Sequence, residues 1–284
     1  MNHLENGTIA VGAPGSEMRR KAEIEDEIKG HTPRLFVGDC LEIMKQIPDA
    51  SVDLVLCDLP YGTTQNRWDI VIPLEPLWIQ YNRIAKPAAA IVLFGAEPFS
   101  SLLRTSNLSS YKYDWIWQKD KATGHLNAKK MPMRVTERIS VFYRAQCTYN
   151  PQIVDKDPAN IRPATVLRKN TGSYGSMDKP SVRGIPIDKS YPNEILKFRG
   201  CFGDKGKSNH PTEKPVDLLE YLLRTYTNVQ DTVLDNTMGS GSTGVACANL
   251  GREFVGIEQD PAYFQIAKSR IDEALAEFSF FGEK

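Results

Sequence analysis

Four consecutive residues, Asp58-Leu59-Pro60-Tyr61, have the groups needed to hold a flat ring that carries an amine. They follow the apolar residues 52–57, which predict a buried strand, and open α/β sheets bind ligands at the carboxyl ends of such strands. The Asp58 carboxylate and the Leu59 carbonyl could both accept hydrogen bonds from one exocyclic amine while Tyr61 stacks on the ring. Two acceptors on one amine direct its lone pair toward an electrophile. A turn cap for Asp58 and ordinary packing for Tyr61 are the simpler alternatives.

A second segment, residues 233–244, has the composition of a cofactor-binding turn. A strand predicted to end at Asp235 leads into Gly239 and Gly241, and a helix with free amides at its start follows. Glu258 ends the next predicted strand, where a carboxylate can accept hydrogen bonds from ribose hydroxyls. The glycine spacing also fits a dinucleotide fingerprint, so a nicotinamide-dependent oxidoreductase is an alternative, as is a purely structural tight turn.

The sequence around both segments predicts alternating strands and helices. The predicted strands are residues 35–37, 52–57, 89–94, 113–118, 138–144, 232–235 and 254–258, and the alternation in residues 138–144 fits one strand of a hairpin. The predicted helices are residues 39–47, 74–85, a segment after Pro98, 216–226, a segment ending near Leu250, and one from Pro261 onward. Such alternation is typical of an α/β fold with a mostly parallel sheet and helices on both faces.

The net charge of the 284 residues is zero, but the charges are unevenly distributed. Residues 1–100 carry 9 basic and 14 acidic side chains, residues 101–214 carry 21 and 10, and residues 215–284 carry 5 and 11. The central excess of +11 is typical of a segment that binds a polyanion, because clustered lysines and arginines attract phosphates. A solvated basic face without a partner is the alternative.

Prolines, glycines and lysines replace hydrophobic periodicity in residues 145–209, which predicts a loop-rich basic insert. Residues 1–30 have few apolar anchors and predict a mobile tail with a short helix at 17–28. We therefore divide the chain into a tail (1–30), a first α/β part (31–144), the insert (145–209) and a second α/β part (210–284).

The composition excludes several other classes of protein. No apolar run approaches the roughly 20 residues of a membrane span, so we expect no membrane partner. The five cysteines lie far apart without a Cys-x-x-Cys pair, which favours buried or idle thiols in a reducing cytoplasm and disfavours structural zinc. We expect no metal site.

The order of these motifs resembles the amino-methylating DNA methyltransferases of the β arrangement, which use S-adenosylmethionine. In that family an Asp-Pro-Pro-Tyr element comes first, a target-recognition insert follows and a glycine turn comes last; residues 58–61, the basic insert and residues 235–241 match that order. Gly38-Asp39-Cys40 and the stretches 210–215 and 250–258 resemble further family motifs. The resemblance implies a Rossmann-like methyltransferase fold, double-stranded DNA as the partner and flipping of the target base, and the pattern is similar to phage and prophage members.

The resemblance also implies roles for the matching residues. Asp58 polarises the target amine and Tyr61 stacks on the flipped base, with Leu59 and Pro60 completing the catalytic element. The implied cofactor residues are Asp39 at the adenine amine, Glu258 at the ribose, Asp235, Gly239 and Gly241 at the methionine part, Lys214 at its carboxylate, and Cys40, Asn236, Met238 and Ser240 beside them. The candidates for DNA phosphate contacts are Lys129, Lys130, Arg134, Arg168, Lys169 and Arg183. For Lys214 an ordinary surface lysine is the alternative.

Two positions depart from the family pattern. Leu59 stands where the family has its first proline, which keeps the carbonyl acceptor, so we expect the chemistry to survive. Asn236-Thr237 replaces the usual Pro-Phe and removes an aromatic neighbour of the cofactor. These departures are the only support for another alternative, a catalytically silent DNA-binding relic.

An acidic residue at the first position of residues 58–61 resembles members that methylate adenine at N6, whereas members that methylate cytosine at N4 usually carry serine there. We therefore predict a site-specific adenine-N6 methyltransferase, with cytosine-N4 as the alternative and the oligomeric state, monomer or homodimer, left open. Trp115, Trp117 and His125 could help to hold the displaced base, but core packing is favoured for the two tryptophans.

Overall fold

The computed structural model describes residues 9–10, 33–62, 69–161, 186–201 and 213–281. The predicted tail helix at residues 17–28 and most of the predicted tail lie outside these ranges. The chain divides into two compact units, one of residues 1–150 with 194–284 and one of residues 151–193. Within the described ranges, no helix is both long and apolar enough to span a bilayer.

A nine-stranded sheet forms the centre of the first unit. The strands described in the chain are β1 (Ile9–Ala10), β2 (Arg34–Val37), β3 (Val52–Asp58), β4 (Ala85–Gly95), β5 (Tyr111–Thr123), β6 (Arg134–Phe142), β7 (Val154–Asp155), β8 (Lys189–Ser190), β9 (Ile195–Lys197), β10 (Thr232–Asp235) and β11 (Glu253–Glu258). The sheet order is β1-β2-β11-β10-β3-β4-β6-β5-β9. Pairing is parallel from β1 to β4 and antiparallel around β6, and β9 joins β5 in parallel.

Six helices cover the two faces of this sheet in the described residues. They are α1 (Cys40–Met44), α2 (Leu74–Ile84), α3 (Phe99–Ser106), α4 (Val216–Tyr226), α5 (Ser242–Leu250) and α6 (Pro261–Phe281). Strand β3 is buried on both faces: Leu54 and Leu56 pack in one hydrophobic cluster with α4, α5 and α6, while Val55 and Cys57 pack in the other with α1, α2 and α3. Continuous burial explains why residues 52–57 are apolar without alternation.

The observed elements confirm the predicted pattern and differ in length at a few places. Helix α1 ends at Met44 rather than residue 47, because the chain tightens into a turn in which the Ile47 amide donates to the Met44 carbonyl at 3.1 Å. Strand β4 begins directly after α2, with Ala85 paired to Val52. Strands β5 and β6 extend well beyond the core as an exposed hairpin, where hydrophobic alternation is lost. Backbone pairing continues there, and the Thr123 hydroxyl donates to the Arg134 carbonyl at 3.3 Å.

The second unit contains a short antiparallel pair, β7 and β8, in which Val154 lies opposite Ser190. Lys189 makes an ion pair with Asp155 in this ribbon. The unit, residues 151–193, is shorter at both ends than the predicted insert, residues 145–209. At the carboxyl-terminal end the difference arises because β9 pairs with β5 and belongs to the main sheet. At the other end the Asn150 amide donates to the Thr225 carbonyl of α4 at 2.7 Å.

Candidate functional site

The carboxyl ends of β2, β11, β10 and β3 lie side by side at one edge of the sheet, because these four strands are parallel neighbours. Asp39 follows β2, and Glu258, Asp235 and Asp58 end the other three strands. The loops are also joined directly, since the Thr237 hydroxyl donates to the Asp58 carbonyl at 3.0 Å. The fold therefore brings both sequence motifs together at one edge, as the strand-end rule predicts.

Asp58 lies at the centre of a hydrogen-bonded cluster. The Tyr61 hydroxyl donates to Asp58 Oδ1 at 2.5 Å, and the Lys214 ammonium makes an ion pair with Asp58 Oδ2. Glu137 on β6 completes the cluster: its Oε1 lies 3.0 Å from the Tyr61 hydroxyl and 3.2 Å from Lys214 Nζ, and its Oε2 lies 2.7 Å from Lys119 Nζ. Two carboxylates and two ammonium groups thus alternate along one chain of contacts.

The charges in this cluster determine which groups are ionised. Burial opposes the charge on Glu137, but Lys214 and Lys119 lower its pKa to about 2. Burial also opposes the charge on Lys214, while Asp58 and Glu137 raise its pKa above the ordinary lysine value. For Asp58, burial outweighs the opposing effect of Lys214, and the pKa of this carboxyl is raised. The two lysines therefore favour the ionised form of Glu137, whereas burial disfavours the ionised form of Asp58.

Aromatic rings line the same end of β3. Tyr61 stacks on Phe99 with ring centroids 5.1 Å apart and planes inclined by 25°. Lys214 Nζ lies 5.1 Å from the centroid of the Phe94 ring and 5.9 Å from that of Tyr61. The Lys214 side chain is 9% exposed, so the alternative of an ordinary surface lysine is wrong. Its charge is held by carboxylates and ring faces.

The glycine turn begins where β10 ends. The Gly239 amide donates to Glu258 Oε2 at 2.8 Å, which fixes the turn against β11. Gly241 has a φ of +81° and precedes α5, and a Cβ there would lie 2.8 Å from the Cβ of Ala267. Both the backbone conformation and the close approach of α6 therefore require glycine at this position.

Asp235, at the end of β10, is 4% exposed and is held by neutral donors. Its Oδ2 accepts from the Thr243 hydroxyl at 2.7 Å and its Oδ1 from the Thr237 amide at 3.1 Å. Burial raises the pKa of Asp235 to about 7, against the opposing effect of these hydrogen bonds. Asp235 is a carboxyl whose charge no cation compensates within the described residues.

The departure at Asn236 has a structural explanation. Its Oδ1 accepts hydrogen bonds from the Tyr81 hydroxyl at 2.5 Å and from the Cys57 thiol at 2.9 Å. Its Nδ2 is buried and has no partner among the residues that the structure describes. Asn236 therefore ties the end of β10 to β3 and α2 and leaves one donor unused.

The remaining predicted cofactor residues lie along the same edge. Asp39 caps α1 by accepting from the Leu41 amide at 2.8 Å, and Cys40 is the first residue of that helix. The Met238 side chain is buried, and the Ser240 hydroxyl accepts from Arg270 at 2.9 Å. Lys214, which was expected at the methionine carboxylate, makes its ion pairs with Asp58 and Glu137.

The predicted DNA-contact residues fall into two groups. Lys129, Lys130 and Arg134 are exposed in the long hairpin between β5 and β6. The other three, Arg168, Lys169 and Arg183, lie outside the described residues, as do residues 210–212 of the predicted 210–215 motif. Trp115 and Trp117 are buried, which confirms the expectation of core packing, and His125 is exposed at the hairpin end.

The sequence interpretation missed Glu137 and Lys119. The predicted strand began at residue 138, yet extending its two-residue alternation by one step places Glu137 on the same face as Ile139 and Val141, which are both buried. A charged residue in register with core positions was the available signal. Lys119 lies on β5, and only the antiparallel pairing of β5 with β6 brings it to Glu137.

The sequence interpretation also missed a network that joins the glycine turn to the segment that carries Lys214. Arg270 of α6 makes an ion pair with Glu213 at 2.6 Å and donates to the Ser240 carbonyl at 2.7 Å. Glu213 also accepts from the Ser242 hydroxyl at 3.1 Å. Because Glu213 precedes Lys214 in the chain, this network fixes the glycine turn and the Lys214 segment to the same helix.

Comparison with curated proteins finds methyltransferases. The N6_N4_Mtase family model, described as a DNA methylase, matches residues 52–269, well over half of the chain. The type II methyltransferase M.HpaI of Haemophilus parainfluenzae is 26% identical over 265 residues, covering 88% of this chain and 78% of that protein. The type II methyltransferase M.HinfI of Haemophilus influenzae is 22% identical over 284 residues, covering 88% and 71%.

Solved structures agree in fold. The complex of M1.HpyAVI with S-adenosylmethionine has a TM-score of 0.55 and 27% identity, and the match covers 84% of this chain and 100% of that one. The PvuII cytosine-N4-specific DNA methyltransferase has a TM-score of 0.57 at 15% identity, covering 86% and 91%. The second likeness concerns the fold alone.

These findings confirm the predicted Rossmann-like methyltransferase fold and S-adenosylmethionine as the cofactor, and the alternative of a nicotinamide-dependent oxidoreductase is wrong. The chain belongs to the N6_N4_Mtase family of DNA methylases.

Proposed function

We propose that the protein transfers a methyl group from S-adenosylmethionine to the N6 amine of a flipped adenine at a specific site in double-stranded DNA. One observation carries the proposal: Asp58 and Tyr61, at the end of β3, share an edge of the sheet with the glycine turn at the end of β10. A methyl transfer must bring together a group that holds the target amine and a turn that binds the cofactor, and here the two lie on adjacent strands.

The chemistry of the described residues fits the cofactor. Asp235 and Glu258 provide carboxylates for a molecule that carries a cationic sulfonium, an ammonium group and ribose hydroxyls. The buried Asn236 Nδ2 is a donor without a partner among the described residues, and a polar ligand seated at the end of β10 would supply the acceptor. Asp39, Cys40, Met238, Gly239, Ser240 and Gly241 complete the proposed cofactor site.

The bound cofactor supplies a methyl group on a sulfonium, which is an electrophile. The chain positions the nucleophile: Asp58 accepts a hydrogen bond from the target amine, the Leu59 carbonyl accepts another, and Tyr61 stacks on the base. The cofactor, when bound, would supply the methyl carbon to the amine nitrogen and leave as a neutral thioether, and Asp58 would accept the proton that the methylated amine releases. Leu59 keeps the backbone acceptor, and Pro60 restrains the turn that presents it.

Adenine is the proposed base because Asp58 is acidic, which is the residue type of adenine-N6 members at this position. Cytosine-N4 is the second candidate, since its amine would present the same two hydrogens to Asp58 and Leu59. The nature of the methylated nucleoside decides between them.

The basic central segment is the proposed DNA-binding region. Residues 101–214 carry 21 basic and 10 acidic side chains, and Lys129, Lys130 and Arg134 lie exposed in the hairpin that extends from the site. We propose the remaining candidates, Arg168, Lys169 and Arg183, as further phosphate contacts, and residues 145–209 as the segment that recognises the target sequence between a catalytic half (31–144) and a cofactor half (210–284).

The test is transfer of a labelled methyl group from S-adenosylmethionine to duplex DNA of mixed sequence, followed by nucleoside analysis of the product. We expect N6-methyladenine from the wild-type protein and no label with Asp58→Ala, which should remain folded. N4-methylcytosine as the product would overturn the choice of base. A folded wild-type protein that binds the cofactor but labels no DNA would indicate the silent relic.

A further inference from the structure

Glu137 is a buried carboxylate that the proposed transfer step does not use. Its side chain is 9% exposed and makes ion pairs with Lys214 and Lys119, and its Oε1 lies 3.0 Å from the Tyr61 hydroxyl. A buried charge is costly unless it is paired, and breaking such a pair leaves the partner charge uncompensated. Glu137 lies close enough to Asp58 to share both Tyr61 and Lys214 with it.

Lys214 poses a problem for the proposed chemistry. Its ammonium occupies Asp58 Oδ2, on the same carboxylate that the target amine needs. A cation on a carboxylate weakens it as an acceptor for a neutral amine, because the charge is already neutralised. The ammonium cannot leave for water at low cost, since Lys214 is buried between carboxylates and the rings of Tyr61 and Phe94.

Building on the proposed function, we propose that Glu137 is a positioning residue that receives the Lys214 ammonium when the target amine takes Asp58. The required movement is small, because Lys214 Nζ already lies 3.2 Å from Glu137 Oε1, against about 2.8 Å for a close charge-assisted hydrogen bond. Lys119 occupies the other oxygen, Oε2, whereas Lys214 shares Oε1 with the Tyr61 hydroxyl. Asp58 is thereby freed as an acceptor while the ammonium stays paired.

The experiment is a double-mutant cycle of Glu137→Gln and Lys214→Met, read as single-turnover methyl transfer at saturating cofactor and DNA. Glutamine offers the ammonium only a neutral acceptor, so the ammonium should stay on the charged Asp58, and E137Q should slow transfer by about 10- to 100-fold in the wild-type background. In the K214M background no ammonium competes for Asp58, and the same change should slow transfer by less than about threefold.

An equal loss in both backgrounds would mean that Glu137 acts only as a structural anchor, and an unaltered rate in E137Q would also overturn the proposal. Wild-type protein that does not methylate DNA would instead refute the proposed function, so the two failures are distinguishable. If E137Q does not fold, Glu137→Asp replaces it: the shorter side chain keeps the charge but withdraws it from Lys214, and we expect a smaller loss with the same dependence on Lys214.

Asp114 provides the matched control. It is a carboxylate of similar burial on β5, where it pairs with Arg104 at 3.1 Å and with Arg138 at 3.2 Å, and it has no contact with Asp58. Asp114→Asn should lower the melting temperature without changing the single-turnover rate. A rate loss in this variant equal to that of E137Q would show that disturbing any buried ion pair of the hairpin slows transfer, which would contradict a specific role for Glu137.

Discussion

Strands β3 and β10 are neighbours, and each ends in an aspartate at the same edge of the sheet: the side chain of Asp58 is 22% exposed and Asp235 is 4% exposed. The two aspartates are held in different ways. Asp58 is held by an ammonium group and a phenol, with a second carboxylate nearby. Asp235 is held by a hydroxyl and a backbone amide, both neutral. A carboxylate with charged partners that can exchange suits a group that must bind and release an amine. A carboxylate fixed by neutral donors suits a cofactor site whose geometry stays the same.

Removing the charge of Asp58, at the end of β3, should have the largest effect on the rate of methyl transfer. Asp58→Asn keeps the shape but loses the anionic acceptor and leaves Lys214 without one of its partners, so we expect single-turnover transfer to fall by about 10²- to 10⁴-fold. Rapid-quench assays with labelled cofactor measure this rate. A loss of less than fivefold would contradict the role of Asp58 and remove the functional contrast between the two strand ends.

In the glycine turn after β10, substitution should instead lower the free energy of unfolding. Gly241→Ala places a Cβ against Ala267 and strains a φ of +81°, whereas Gly124→Ala at a φ of +88° has nothing within 4 Å of the new atom. We expect G124A to cost about 1 kcal/mol and G241A about 1–3 kcal/mol more, because α6 is tightly packed there. Denaturant unfolding measures both values, and equal losses would show that α6 does not restrict the turn.

Asp235 should make stability depend on pH. Its pKa of about 7 in the folded chain exceeds the ordinary aspartate value of 3.8, so the folded protein binds this proton more tightly than the unfolded chain does. The resulting stability is complete below about pH 4 and is lost as the pH rises through about 7. Asp235→Asn removes this titration and can still bond Thr237 and Thr243.

The melting temperature of D235N should therefore exceed that of wild type by a few degrees above pH 7 or so, with the gap closing toward about pH 4. Thermal scans of both proteins across that range measure the gap. A gap that is constant with pH would mean that Asp235 does not titrate in this range. It would contradict the claim that Asp235, unlike Asp58 beside Lys214, has a charge that no cation of the described residues compensates.

The smallest effect is expected from substitutions in the hairpin, on the affinity for DNA. Replacing Lys129 and Lys130 by alanine removes two exposed charges, which should weaken DNA binding by only a few fold and lower the salt dependence of binding by about one to two counterions. Fluorescence anisotropy at several salt concentrations measures this slope. The cofactor-induced rise in melting temperature should be unchanged, since these lysines lie far along the hairpin from the β10 turn.

Much of this edge of the sheet is predictable from the sequence. Residues 52–57 are apolar because β3 is buried on both faces, and parallel neighbours must place their carboxyl ends together, so Asp58, Asp235 and Glu258 could be assigned to one edge. The glycine at position 241 likewise follows from a turn that needs a positive φ. These are local rules, and they hold wherever strand and turn patterns are clear.

The partners of Asp58 could not be predicted in the same way. Glu137 lies 76 residues after Tyr61, with which it shares a hydrogen bond, and it reaches the site only because β6 pairs antiparallel with β4. Lys119 and Arg270 are likewise positioned by tertiary pairing. The alternation along β6 could indicate that Glu137 is buried, but it does not indicate which charged side chains Glu137 contacts. Local patterns therefore indicate the chemistry of the strand ends but not the ion pairs that adjust it.

The central claim is that the end of β3 acts in methyl transfer and the end of β10 binds the cofactor. The most direct test is the rise in melting temperature caused by saturating S-adenosylmethionine, measured in parallel for wild type, D58N and D235N. The account predicts that D58N keeps most of the wild-type rise while losing methyl transfer, and that D235N loses most of the rise. A D58N protein that no longer responds to the cofactor, beside a D235N protein that responds fully, would contradict it.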